Sequence, residues 1–352
     1  MSGNENKIAV VLNENASRVN NQVLRGLSSI IGKENLYYTR ALEEVEGAVE
    51  DILKRGFDLV FCGGGDGTIV GVVTAVVDVA KNITDNGGNV SLPTIGILKM
   101  GTGNAWAWAT GVHNGLKQIE EIKNGREYSK ASFDLLKVRG RLCPFAGMGI
   151  DAQVLNDYYD LMENLSRSSL RRFFVGLNGY VYSSIMKSIP AVRSMTRGGK
   201  VPEVEVKFTG DKTFKLNRKG HFEALEEVMD DEVFRGRANI VACGTIPYFG
   251  YAFRAFPLAE AMSGTMHLRI ANVRPAEALR NISRLWRGTY NGPEFTDFLT
   301  DAANIRFDRE MPLEVGGDPH GYTSEVDFKV PEFKVSVISY KDKESFWEPS
   351  VK

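Results

Sequence analysis

Residues 61–71 read FCGGGDGTIVG, with Gly63, Gly64, Gly65 and Gly67 gathered around the carboxylate of Asp66 and followed by Thr68. Glycine has no side chain and tolerates positive φ, so a glycine-rich turn between strand and helix exposes successive amide N–H groups. With the positive end of the following helix, such a turn makes an anion site. A carboxylate inside it would repel a bare phosphate, which predicts that Asp66 holds a metal ion, a water or a hydroxyl beside the phosphate. The alternative is a plain glycine turn with Asp66 capping the helix. A second stretch, GILKMGTGNAWAWATG at 96–111, repeats the order of apolar strand, small-residue loop and helical run. There Gly101, Thr102, Gly103 and Asn104 offer another set of amides and two short polar side chains. Two such loops at one sheet edge can grip one polyphosphate. Neither matches the G-x-x-x-x-G-K-[ST] or G-x-G-x-x-G pattern, so ordinary NTPases and dehydrogenases fit poorly.

The elements that must position these loops alternate. KIAVVLN (7–13), NLYYT (35–39), DLVFCGG (58–64) and TIGILKM (94–100) read as strands, with helical patterns at 16–31, 41–56 and from the first loop to Ala80. That alternation predicts an α/β domain with a parallel sheet, whose ligands sit beyond the carboxyl ends of the strands. The polar KNITDNGGNVSLP (81–93) reads as a surface excursion. After about residue 127 shorter β-like pieces take over, predicting a mainly antiparallel β second domain with helical insertions at 154–188 and 275–300. The expected division is 1–127, 128–330 and a C-terminal strand and tail at 331–352 that packs on either domain.

Composition bounds the reading. The 352 residues are 43% hydrophobic and 25% charged, which suits a globular chain of two domains. A net charge of −1 gives no general attraction to nucleic acid, and an anionic or membrane contact would need a local basic patch. Cys62, Cys143 and Cys243 are too scattered for a disulfide framework or a zinc spacing and read as reduced core thiols of a cytoplasmic protein. No signal peptide and no run of 18 apolar residues is evident.

GGGDGT at 63–68, followed by GTGN at 101–104, resembles the catalytic domain of the diacylglycerol kinase and sphingosine kinase superfamily. LNENAS (12–17), FDLLKV (133–138), GMGIDAQV (147–154), CGTIPYFGYAFRAFPLAEAMSG (243–264) and LEVGGDPHG (313–321) are similar to further motifs of that family in the same order. The resemblance implies an NAD kinase/diacylglycerol kinase-like fold with its active site in the cleft between domains. It implies an ATP- and Mg²⁺-dependent kinase that phosphorylates the hydroxyl of a lipid: diacylglycerol, a sphingoid base or a related long-chain alcohol. Gly63, Gly64, Gly65, Gly67, Thr68, Gly101, Thr102, Gly103 and Asn104 would bind the nucleotide, with Asn13 assisting. Asp66 would serve magnesium or the acceptor hydroxyl, Asp318 would be the general base, and Asp151 would face the lipid head group. Each acid has a plainer reading: Asp318 as a turn residue, Asp151 as a helix cap, Asp134 as a structural strand-start acid. His320 reads as structural or solvated.

The chain also departs from the family. Gly71 and Ala105 stand where carboxylates are usual, and residues 316–318 read Gly-Gly-Asp in place of Asp-Gly-Glu. The structural magnesium site of some bacterial members is not expected at residues 261–264. Basic and aromatic residues mix at 165–200 and at 279–290, which suits either interfacial helices on anionic lipid or ordinary amphipathic helices on the second domain. The reading places the protein at the inner membrane surface as a peripheral protein and leaves homodimer formation open. Two rivals remain: a soluble NAD kinase-like phosphotransferase, and a non-catalytic lipid- or nucleotide-binding pseudokinase.

Overall fold

The computed structural model describes residues 6–16, 18–165, 168, 201–217, 221–224 and 233–341. They form two compact units: one runs to Phe133 and resumes at Phe333, and the other runs from Asp134 to Glu332.

The first unit is built from β1 (Ile8–Asn13), α1 (Asn21–Ile31), β2 (Leu36–Thr39), α2 (Leu42–Arg55), β3 (Leu59–Gly64), α3 (Asp66–Asp85), β4 (Thr94–Lys99), α4 (Ala105–Thr110), α5 (Gly115–Lys123) and β5 (Ser129–Phe133). The chain's last strand, β18 (Val335–Ser339), joins them. The sheet order is β2-β1-β3-β4-β18-β5, parallel except that β5 runs antiparallel to β18. Because residues 129–133 form a strand of this sheet, the unit ends after the change of texture near residue 127.

Strands covered on both faces need continuous apolar runs, and every residue of β3 is buried. Leu27 and Ile31 of α1 and Ile119 and Ile122 of α5 pack with Val10, Leu12, Phe61 and Leu98 in one core layer. Each such side chain contributes roughly 1.5–3 kcal/mol on burial. α2 packs against α3. By length and hydropathy alone α3 matches a membrane span, yet Ile69, Val70, Val72, Val73 and Val76 are buried within the unit. It is the crossover helix that a parallel β3–β4 pair requires. It continues to Asp85, into the stretch expected to be a surface excursion, and stops at Asn86 before the left-handed Gly87 (φ 82°). From β1 the chain moves to β2 on one side, and then crosses to β3 on the other. The crevice beyond the carboxyl ends of β1 and β3 is therefore the switch point where sheets of this kind bind ligands.

The second unit is mainly antiparallel. It comprises β6 (Leu136–Val138), β7 (Arg141–Cys143), β8 (Phe145–Gly149), α6 (Ile150–Asn164), β9 (Glu203–Phe208), β10 (Thr213–Leu216), β11 (Phe222–Ala224), β12 (Val233–Arg237), β13 (Ile240–Gly244), β14 (Met266–Ala271), α7 (Pro275–Arg280), α8 (Ile282–Trp286), β15 (Phe295–Thr300), β16 (Ala302–Val315) and β17 (Asp318–Lys329). The main path is β11-β10-β15-β14-β13-β8-β16-β17-β6-β7, with β9 pairing β16 and β12. The helical insertion expected at 275–300 is corrected: it ends at Trp286, and Phe295–Thr300 pairs with β14. Gly288, Gly292 and Pro293 interrupt the helix, and the Phe- and Thr-rich FTDFLT takes the strand. The other expected insertion starts earlier, at Ile150, and its part beyond Leu165 falls outside the described residues except for Ser168. The basic-aromatic stretch 165–200 lies outside them in the same way.

Candidate active site

The two glycine loops meet. A Cβ built on Gly101 would lie 2.3 Å from the Cα of Gly65 and 3.1 Å from the Gly64 carbonyl oxygen. The loop after β3 and the loop after β4 therefore touch backbone to backbone, an approach that only glycine permits. Gly63 and Gly64 are equally confined: a Cβ there would lie 2.3 Å from Leu12 Cδ2 and 2.4 Å from Thr68 Oγ1 respectively. None of Gly63, Gly64, Gly65, Gly67, Gly101 or Gly103 has positive φ. Bare backbone is needed here for close packing rather than for positive φ.

Asn13, at the carboxyl end of β1, donates from Nδ2 to Thr68 Oγ1 at 3.0 Å, which ties the first strand to the first turn of α3. Asp66 does not cap α3, whose N-cap is Gly65 with no side-chain bond. Its Oδ1 instead accepts the Trp106 N–H of α4 at 3.3 Å, so one carboxylate joins the first turns of the helices after both loops. Asn104 adopts the left-handed conformation (φ 55°, ψ 44°), which asparagine tolerates better than most residues. Its Oδ1 accepts from Gly101 N at 3.1 Å and its Nδ2 donates to Gly101 O at 2.7 Å, so its buried amide shapes the second loop. Residues 65–68 and 102–103 remain partly exposed. The arrangement brings Asn13, the first loop with Asp66 and Thr68, and the second loop together at one sheet edge.

Sequence reading missed Arg18. Its Nη1 donates to the Lys99 carbonyl at 3.2 Å, which adds a guanidinium at the carboxyl end of β4. The only signal was a basic residue a few positions after the first strand. Gly71 and Ala105, where the family's carboxylates are absent, are both buried.

Asp151 and Asp318 belong to the second unit. Asp151 lies in the first turn of α6, and its Oδ2 occupies space that a Cβ on Gly147 would fill, 2.1 Å away. Neither carboxylate oxygen has a well-formed hydrogen bond. Burial pushes this carboxyl up to about 6, although the N–H groups of Ala152 and Asp151 pull the other way. Asp318 opens β17 just after Gly316 and Gly317, whose φ values of 61° and 89° make the left-handed two-residue turn that suits a hairpin. Burial raises its carboxyl above the usual range, against the Tyr159 hydroxyl, which donates to Oδ1 at 3.2 Å, and the Arg141 guanidinium. α6 thus bears Asp151 at its start and, two turns on, the Tyr159 that contacts Asp318.

Glu314 was also missed. It is fully buried, and its Oε2 accepts the Gly317 N–H at 2.9 Å, bracing the turn that presents Asp318. An acid inside an apolar strand was the available signal. His320 is held below its ordinary value by burial and by Arg141 and Arg139. Asp134 Oδ2 accepts the Gly264 N–H at 3.0 Å, a structural tie.

Residues 7–138, which include both loops and Asn13, match the family model described as the diacylglycerol kinase catalytic domain. This segment is similar to that catalytic domain. The chain is 30% identical over 133 residues to the "Probable lipid kinase YegS-like" of Citrobacter koseri. It is 27% identical over 133 residues to the "Probable lipid kinase YegS" of Salmonella heidelberg. Each match covers 37% of this chain and 41% of the relative's length. Similarity of fold extends further: a diacylglycerol kinase crystal structure from Bacillus anthracis aligns with TM-score 0.59 and 13% identity, covering 95% of this chain and 96% of that one. The likeness of fold therefore extends over both units, while the family model matches residues 7–138.

Proposed function

We propose that the protein transfers the γ-phosphoryl group of ATP to the hydroxyl of a lipid acceptor: diacylglycerol, a sphingoid base or a related long-chain alcohol. The observation that carries this reading is the backbone contact between Gly65 and Gly101, which makes one continuous cradle from two loops. Helix starts and successive amides suit the phosphates. Gly63–Thr68 and Gly101–Asn104 would hold the nucleotide, with Asn13 fixing Thr68.

The residues present fit magnesium only as a nucleotide complex. Among the described residues no three His, Cys, Asp or Glu side chains cluster for a metal, so Asp66 would share the ion with the phosphates. ATP, when bound, would supply the phosphoryl group, and Mg²⁺ would neutralise its charge. On this reading the acceptor oxygen would bond to phosphorus as the bond to the departing ADP breaks, and the acceptor's proton would pass to Asp318, whose raised proton affinity suits a base. Asp151 would contact the acceptor's polar head.

The test is incubation of the full chain with labelled ATP and Mg²⁺ and, separately, diacylglycerol, sphingosine or NAD. Labelled lipid is expected, and Asp66→Asn should lower its formation by about 10²-fold or more while the melting temperature stays native. Transfer to NAD alone would make the protein a soluble phosphotransferase. ATP binding without transfer to any acceptor would make it non-catalytic.

A further inference from the structure

α7 and α8 are separated only by Asn281, whose N–H donates to Glu277 O while its own carbonyl accepts from Leu285 N. The pair therefore reads as one nearly continuous helical turn sequence from Pro275 to Trp286. Its inner side is anchored where the Trp286 ring packs on Phe253 with centroids 5.4 Å apart, and where Arg254 N donates to the Trp286 carbonyl at 3.0 Å. Its outer side carries Leu279, 60% exposed, and Ile282, 50% exposed, one turn apart. Leu279 has the highest exposure among the large hydrophobics of the described residues.

Beside this apolar pair runs a row of exposed arginines. Arg280, Arg284 and Arg287 follow at helical spacing, and exposed Arg274 stands at the start of α7. Glu277 is the one acid between residues 274 and 290. Arg284 lies over the Tyr290 ring at 5.3 Å, and Arg287 is tied back to Ser283, so these guanidiniums are displayed on a fixed surface.

We propose that this face of α7 and α8 docks on an anionic lipid surface. Leu279 and Ile282 enter the boundary between head groups and acyl chains, and the arginines lie among the phosphates. Charge complementarity selects this occupant. Two aliphatic side chains ringed by arginines form a far smaller apolar patch than the roughly 800 Å² per partner of a stable protein interface. They match the shallow insertion plus electrostatic attraction of an interfacial helix. Arginine stems can also cover apolar surface while their heads stay at the phosphates. The inference goes beyond phosphoryl transfer and is tested without nucleotide.

Co-sedimentation of the full chain with phosphatidylcholine vesicles and with vesicles containing phosphatidylglycerol measures it. Strong binding to the anionic vesicles is expected, weakening as salt is raised. Each of Arg280→Ala, Arg284→Ala and Arg287→Ala should weaken that binding by about fivefold. The double variant Leu279→Ser/Ile282→Ser should weaken it by about tenfold or more. These positions are exposed, so an unchanged melting curve serves as the folding control. Equal binding to both vesicle types, no binding to either, or anionic binding that these variants leave intact would overturn the proposal. So would a concentration-dependent dimer lost in the Leu279/Ile282 variant together with absent vesicle binding, since a second copy would then be the occupant.

Discussion

The Cα of Gly65 stands 2.3 Å from the position that a Cβ on Gly101 would occupy. Real Cβ atoms do not approach backbone so closely, and the obstacle here is backbone, which cannot swing aside. Gly101→Ala must push the two loops apart. We expect a loss of about 1–3 kcal/mol in stability, the usual cost of overpacking, read by chemical denaturation. A larger proportional loss is expected in nucleotide affinity, read by calorimetry. Gly125→Ala is a control that lowers stability without a clash, because nothing lies within 4 Å of its Cβ position. Its own φ of 88° imposes backbone strain, so it should cost stability without affecting nucleotide affinity.

The second acid yields a prediction with a definite sign. Burial raises Asp151 from 3.8 to about 6. The folded protein therefore holds this proton over a pH range in which the unfolded chain has released it. Stability contributed by the protonated form is present below about pH 4 and is lost as pH rises to about 6, with a total change on the order of 3 kcal/mol. Asp151→Asn removes that dependence. The stability of the variant relative to the natural protein should rise between pH 4 and pH 6.5 and then level off, as followed by urea denaturation at several pH values. A difference that is flat across this range would contradict the buried, poorly bonded carboxylate.

A third prediction concerns the framework of the second unit. Burial alone would raise the Asp297 carboxyl, but Arg269 and His267 together outweigh it and hold Asp297 well below the ordinary range. The guanidinium binds both carboxylate oxygens, at 2.7 and 2.9 Å, and Arg269 also donates to the Ala255 carbonyl. Arg269→Met would strand a buried charge and should destabilise the protein by about 3–5 kcal/mol. Replacing both partners, as Arg269→Met/Asp297→Leu, should recover much of the loss. Thermal melts of the two variants decide it.

Much of this architecture was legible because its signals are local. Apolar runs such as IAVVLN and LVFCGG can hardly be anything but strands buried on both faces, and a glycine cluster at a strand's end marks a loop that must pack closely. What the residues alone could not give was the reason for the glycines. Positive φ and close approach both select glycine, and only the positions of Leu12, Thr68 and Gly65 show that approach is the cause. The Asp66 link to Trp106 N–H joins residues 40 apart in the chain and has no local signature. Glu314 was passed over because it lies two residues before the turn that attracted attention, and its role depends on a hydrogen bond to Gly317. The run 295–300 was misread because the link from Trp286 to Phe295 carries the breakers Gly288, Gly292 and Pro293, whose weight against helix was underestimated.

The central claim is that the two loops together hold one triphosphate. Calorimetric titration of the full chain with ATP and with AMP, each with Mg²⁺, tests it most directly. The account predicts that ATP binds at least about 10²-fold more tightly than AMP, the scale of two or more charge-assisted hydrogen bonds, and that Gly101→Val removes this difference while the melting curve remains cooperative. Equal affinity for ATP and AMP, or an unaltered preference in a folded Gly101→Val variant, would contradict it.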